Sequence, residues 1–172
     1  MARSKRHEYS YHRAGSRNGR SLSAIVSQQV SVASANAHWR RLNELLGDAT
    51  DPTRMHGVTD EELRSAGISR QKAGYLRSLA EEVTSGRLNL ADLPADDEEA
   101  IAQLVAVKGI GRWSAEVYLL FAEGRTDIWP AGDLAVQIEM VRILGHDARP
   151  SEKLVRELAE AFRPHRSALA IF

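Results

Sequence analysis

Residues 104–136 read LVAVKGIGRWSAEVYLLFAEGRTDIWPAGDLAV, and this stretch decides the fold. A helix is predicted to end near Val107, a tight turn Lys108-Gly109-Ile110-Gly111 to follow, and a second helix to begin at Arg112 or Trp113. Trp113, Val117, Leu120 and Phe121 stand at i, i+4, i+7 and i+8, the spacing of one helical stripe, and the stripe is expected to be buried. Glycine at 109 and 111 permits backbone conformations and close approaches that a side chain blocks. The turn therefore aims backbone N–H groups outward from a helix start, where a phosphate can bind. Pro130 breaks the chain, Gly132 loosens it, and Asp133 stands at the head of a third apolar helix.

Working outward, the same rules place helices on both sides. Residues 21–29 and 31–46 read as two helices, the first burying Leu22, Ile25 and Val26. Ser31 caps the second, which is expected to bury Ala33, Ala37, Leu42, Leu45 and Leu46 before Gly47 ends it. Thr59-Asp60-Glu61-Glu62 is a capping box for a short helix that stops at Gly67. Ser69 caps a further helix with Ala73, Leu76, Leu79, Ala80 and Val83 inward. Asp96-Asp97-Glu98-Glu99 opens the helix that runs through Ile101, Leu104 and Val105 into the glycine turn. Ser151 caps a helix over 152–162, and a last one starts after Pro164. No segment alternates with period two, so the fold class is all-α.

At 172 residues the chain is one domain or two small lobes, large enough for a real core. No run is long and apolar enough for a membrane span, and residues 1–20 lack the apolar centre of a secretion signal. With no cysteine there is no disulfide framework and no thiolate-held iron–sulfur cluster. An intracellular, cytoplasmic protein without a membrane partner is expected. Net charge is zero, but Arg3, Lys5, Arg6, Arg13, Arg17 and Arg20 face a single Glu8 in residues 1–20, while Asp92, Asp96, Asp97, Glu98 and Glu99 crowd one short stretch. A neutral total can hide a basic face opposite an acidic one. Residues 1–20 read as a loose basic arm. The six histidines lack metal-ligand spacing, and no Ser-His-Asp arrangement or phosphate-binding P-loop is visible.

The segments SAIVSQQVSVASA, GISRQKAGYLRSLA, KGIGRWSAE, PAGDLAV and FRPHRSALAIF, in this order, resemble the helix-hairpin-helix (HhH-GPD) DNA glycosylases of base excision repair. The likeness runs from about Leu22 to Phe172 and is nearest to the alkyl-base branch, typified by 3-methyladenine DNA glycosylase II. It implies a fold of two helical lobes with a cleft between them. Residues 22–129 are expected to form the bundle lobe carrying the hairpin. Residues 130–172 are expected to form a second lobe, cut short at Phe172 relative to the family.

The resemblance assigns roles. Asp133 is the expected catalytic carboxylate. Breaking an N-glycosidic bond builds an oxocarbenium-like charge on the sugar, which a fixed carboxylate stabilises, and the same group can orient or deprotonate the attacking water. In bifunctional members a lysine at the place of Trp113 attacks the sugar; tryptophan has no such nucleophile, which implies a monofunctional glycosylase that leaves an abasic site unnicked. Trp113, with Tyr118 and Trp129, is also a candidate wall of the base pocket, since a cationic alkylated base stacks on aromatic faces; for Trp113 a core position is equally open. Lys108, Gly109, Ile110, Gly111 and Arg112 are the candidate DNA anchor. Gln28 and Gln29 are candidates to fill the gap left by a flipped nucleotide, with a turn-capping pair as the plain alternative.

No cofactor is expected for the chemistry. By the resemblance, the carbonyls of Val105, Val107 and Ile110 would hold a monovalent cation, Na+ or K+. The expected partner is double-stranded DNA, bound by a monomer, and the expected substrate is a flipped alkylated purine. Two other readings stay open: a DNA-binding module that keeps the hairpin without the reaction, and a glycosylase for an oxidised or deaminated base. Arg70, Lys72, Arg163, His165 and Arg166 could touch phosphates, although a solvated charged face is the commoner meaning of such residues.

Overall fold

The computed structural model describes residues 19, 22, 23, 25, 26, 31–145 and 150–171, and every α-helix or 3-10 turn discussed below lies among them; they contain no strand. Leu22, Ser23, Ile25 and Val26 are helical and buried. There follow α1 (Val32–Leu46), a 3-10 turn (Pro52–Met55), α2 (Asp60–Ser65), α3 (Arg70–Thr84), α4 (Asp97–Val105), α5 (Arg112–Phe121), α6 (Leu134–Leu144), α7 (Glu152–Ala159), a 3-10 turn (Glu160–Phe162) and α8 (Arg166–Ile171). Gly19, assigned above to the loose arm, is itself helical and buried, so packed structure begins inside the span 1–20.

The helix starts are chemically explicit. Ser31, Thr59, Ser69, Asp96, Asp133 and Ser151 each accept a backbone N–H of the helix they open. At α2 the box is reciprocal: Thr59 Oγ1 accepts from the Glu62 N–H at 3.2 Å, and the Glu62 carboxylate accepts from the Thr59 N–H at 2.8 Å. The start of α5 differs. Its cap is Gly111, which offers no side-chain acceptor.

Two apolar cores organise the chain. The larger joins Leu22, Ile25 and Val26 to α1–α5 and ends at Ile128. The smaller begins at Trp129 and Ala131 and gathers Val136 and Met140 from α6 and Val155 and Ala159 from α7. Ala170 of α8 packs against both. Ser167 fixes α8 to the junction: its hydroxyl accepts from the Ile128 N–H at 2.9 Å and sits 2.6 Å from the Arg125 carbonyl.

Two predicted stripes need correction. On α1, Ala33 is exposed, and Ala35, Trp39, Leu42 and Leu46 form the buried line instead. Both lines obey helical spacing, and the large Trp39 ring decides which faces inward. On α5, Trp113 is 37% exposed, while Ala115 to Leu120 are buried without interruption. That helix runs between packed neighbours on several sides, so a one-face pattern underestimates its burial. The helix predicted over 152–162 tightens to a 3-10 turn after Ala159.

Candidate active site

The hairpin is built by contact between a glycine and a ring. Gly109 has φ +93°, and a Cβ there would fall 2.1 Å from Cγ of Tyr75 on α3. No L side chain fits, so the turn packs its backbone flat against the Tyr75 ring. Gln71 Nε2 donates to the Tyr75 hydroxyl at 2.6 Å. The Val107 carbonyl accepts the Ile110 N–H at 3.0 Å and closes the turn. Ile110 is buried as the turn's anchor, and Lys108 is exposed at its tip. Gly111 has ordinary φ −83° and open space where a Cβ would stand. It begins α5 without a side-chain cap.

Asp133 is brought to this hairpin. It caps α6 through Oδ1, which accepts from the N–H groups of Ala135 at 2.8 Å and Val136 at 3.3 Å. Its other oxygen, Oδ2, accepts from the indole Nε1–H of Trp113 at 2.9 Å. Two residues twenty positions apart thus meet across α5 and α6. Asp133 is half-buried, and the Trp113 indole on which its Oδ2 rests is 37% exposed. A fixed anion held partly out of water can stabilise developing positive charge more strongly than one in open water.

The segment leading into Asp133 is pinned on each side. Trp129 Nε1 donates to the Val155 carbonyl at 3.1 Å, Gln137 Nε2 to the Ala131 carbonyl at 2.8 Å, and the Asp133 N–H to the Pro130 carbonyl at 2.8 Å. This explains a correction. Trp129 is only 4% exposed because its ring centres the second core and its N–H is used internally; it is no open pocket wall. Tyr118, also 4% exposed, belongs to the first core rather than to an open pocket wall.

Arg112 is corrected too. Its guanidinium grips Glu98 on α4 through Nη1 at 2.9 Å and Nη2 at 2.5 Å, and its Nε donates to Glu116 at 2.9 Å. The side chain ties α4 to α5, and the hydrogen bond from Arg112 holds Glu98 below the usual carboxylate range. Arg163 and Arg166 are bound internally as well, both to Asp127 and Glu160. Lys72 Nζ donates to the Val26 carbonyl at 2.7 Å, and burial lowers its pKa. Gln28 and Gln29 lie outside the described residues.

Sequence reasoning missed Tyr75, Glu116 and Arg156. For Glu116 a signal existed: a carboxylate in the apolar run of α5, four residues after Arg112. Nothing in the sequence marks Tyr75 as the partner of Gly109.

Among the described residues no cluster of three or more His, Asp or Glu is placed to hold a metal. The cation reading concerns carbonyls. Val105 closes α4 and Val107 lies in the turn that follows, at the end of a helix whose last carbonyls carry partial negative charge. The Val107 carbonyl keeps a second lone pair beyond the one given to Ile110. Such a donor set fits a weakly charged ion.

Comparison with known proteins gives the family and the fold. The model of the HhH-GPD superfamily of base excision DNA repair proteins matches residues 22–164. The chain belongs to the HhH-GPD superfamily. Within it, the chain is 31% identical over 153 residues to DNA-3-methyladenine glycosylase 1 of Schizosaccharomyces pombe, covering 87% of this chain and 67% of that one. It is 28% identical over 154 residues to DNA-3-methyladenine glycosylase 2 of Escherichia coli, covering 84% and 52%. The crystal structure of a DNA-3-methyladenine glycosidase from Bacillus halodurans superposes with a TM-score of 0.79 at 36% identity, over 87% of this chain and 70% of that one. A 3-methyladenine DNA glycosylase of S. pombe in complex with abasic DNA superposes with a TM-score of 0.74 at 28% identity, over 99% and 81%. No helix among the described residues is long and apolar enough to cross a membrane.

Proposed function

We propose that the chain is a monofunctional DNA glycosylase of base excision repair that hydrolyses the N-glycosidic bond of an alkylated purine, of the 3-methyladenine type, in double-stranded DNA. The observation that carries this reading is the Trp113–Asp133 hydrogen bond, which holds a partly exposed carboxylate against the tryptophan that stands two residues beyond the glycine hairpin. Membership in a superfamily of base excision repair proteins and the names of its relatives support the reaction class. The S. pombe neighbour bound to abasic DNA supports duplex DNA as partner.

In this reading the hairpin grips phosphates beside the lesion through backbone N–H groups at Gly111 and the first turn of α5, with Lys108 adding a screened charge. The lesion is flipped out of the stack toward Trp113. As the bond from C1′ to the base nitrogen breaks, its electron pair leaves with the base; an alkylated base is already cationic and departs neutral. Asp133 stabilises the positive charge left on the sugar. Water then bonds to C1′ and gives up its proton to the Asp133 carboxylate, from which it passes to solvent, and an abasic site remains. Trp113 cannot form a Schiff base, so the strand stays intact. A monovalent cation on the carbonyls of Val105, Val107 and Ile110 would supply positive charge toward the gripped phosphates.

The test is to incubate the protein with N-methylated duplex DNA, measure released bases by chromatography, and assay strand breaks with and without alkali. Release of 3-methyladenine with breaks only after alkali is expected. Binding without release would favour the DNA-binding module, and breaks without alkali would overturn the monofunctional assignment.

A further inference from the structure

Glu116 is a buried charge that the reaction above leaves unused. It lies on α5, three residues after Trp113, and is 1% exposed. Its Oε1 accepts from two guanidiniums, Arg112 Nε at 2.9 Å and Arg156 Nη1 at 2.8 Å. Its Oε2 is buried with no hydrogen-bond partner among the described residues. Burial pushes its carboxyl up, against the opposing pull of Arg156 and Arg112. Such a group is costly. A buried ion pair is often matched or bettered in stability by apolar residues of the same volume, so stability alone is a poor reason for it.

Its connections supply a better one. Arg156 belongs to α7, and its Nη2 donates to Glu152 at 2.8 Å. Its Nη1 also reaches the Trp129 carbonyl at 3.4 Å, at the head of the segment that runs through Pro130 to Asp133. Arg112 is held by Glu98 of α4. One carboxylate oxygen therefore joins α4, α5 and α7 to the entry of the Asp133 turn. Trp113 hangs from α5 and Asp133 from that turn, so the angle between them follows from this junction.

We propose that Glu116 is a positioning residue, which sets the Asp133 carboxylate against the Trp113 indole by locking Arg156 and Arg112 between the two lobes. The inference rests on the reading of Asp133 as the catalytic carboxylate. Glu116 touches neither DNA nor the reacting atoms; it acts through the Trp113–Asp133 pair. A misplacement on the order of 1 Å at such a pair costs roughly 100-fold in rate.

The experiment compares wild type, Glu116→Gln, Glu116→Met and Asp133→Asn. Four readouts are taken: single-turnover base release, affinity for an abasic-site duplex, thermal midpoint, and the 15N–1H resonance of the Trp113 indole. Gln keeps one acceptor oxygen and Met keeps the volume without the charge. Release should fall roughly 10-fold in Gln and 100-fold in Met, with duplex affinity within about twofold. The Trp113 resonance should move toward its position in Asp133→Asn, while that of Trp39 stays. A folded variant with wild-type rate and wild-type Trp113 resonance overturns the proposal. So does a parallel fall of rate, affinity and midpoint with the resonance unmoved. If both variants fail to fold, Arg156→Lys takes their place, with the same resonance shift expected and its absence decisive against. Absence of base release by the wild type would instead sink the reading of the function, and the indole resonance would still decide whether Glu116 sets the pair.

Discussion

Asp133 divides its two oxygens between two tasks. Oδ1 holds the first turn of α6, and Oδ2 takes the Trp113 N–H. The indole thus has two separable properties, a flat apolar face and one donor. Trp113→Phe keeps the first and removes the second. A hydrogen bond to a charged acceptor contributes about 1.5–3 kcal/mol, so base release should fall roughly 10- to 100-fold while abasic-duplex affinity stays within about twofold. Single-turnover release and fluorescence anisotropy check this; lost affinity at an unchanged rate would make Trp113 a DNA contact only. At this scale Trp113 and Asp133, singled out in the sequence as site candidates, are joined in the structure by a hydrogen bond. It misled at Arg112, Tyr118 and Trp129. A basic residue beside a phosphate-binding turn reads as a DNA contact until Glu98, fourteen positions upstream, is seen to hold it. An aromatic beside a pocket and an aromatic in a core obey the same spacing, and only the surrounding helices decide between them.

The hairpin shows what two glycines of one motif do differently. Gly109 combines φ +93° with the Tyr75 ring where a Cβ would go, whereas Gly111 has an allowed φ and empty space around it. Gly109→Ala must strain the backbone and displace a packed ring, a cost on the order of 1–3 kcal/mol that lowers the thermal midpoint by several degrees. It should also weaken DNA binding by moving the start of α5. Gly111→Ala should cost less than about 1 kcal/mol, since it loses only some preference at a cap position. Thermal melts of the two variants check the contrast, and equal losses would contradict it. The helices themselves were legible because their starts are written in side chains: Ser31, Thr59, Ser69, Asp96 and Ser151 cap where their types and spacing place them. The wrong face on α1 arose because Ala33 and Ala35 are equally apolar, and the choice between them belongs to Trp39 and its neighbours.

Across the whole molecule, the second core and α8 are held to the first by charge as well as by packing. Burial would raise the Asp127 carboxyl, but hydrogen bonds and charge from Arg166, with Arg163 beside it, outweigh burial and hold it below the usual range. A carboxyl lowered in the folded state contributes stability above its unfolded value, about 3.9, and loses it as pH falls through the lower folded value. The thermal midpoint should therefore hold from neutral pH to about 5 and drop below about 4, with Asp127→Asn flattening part of that drop. A melt series across this range checks it; an unchanged slope in the variant would contradict the assignment. The all-helical class and the order of elements were legible from periodicity and caps. The junction was not, because Glu116, Arg156, Asp127 and Arg166 pair across stretches of up to forty residues with no local pattern to announce them. If the Asp133 carboxylate stabilises the sugar cation, removing its charge must slow base release. The direct measurement is single-turnover release of 3-methyladenine from methylated duplex DNA by wild type and Asp133→Asn. Asparagine caps a helix as well as aspartate does, so α6 and the thermal midpoint should be preserved. Release by Asp133→Asn should be slowed by about 100-fold or more with duplex binding intact; equal release by the two proteins would remove Asp133 from the reaction.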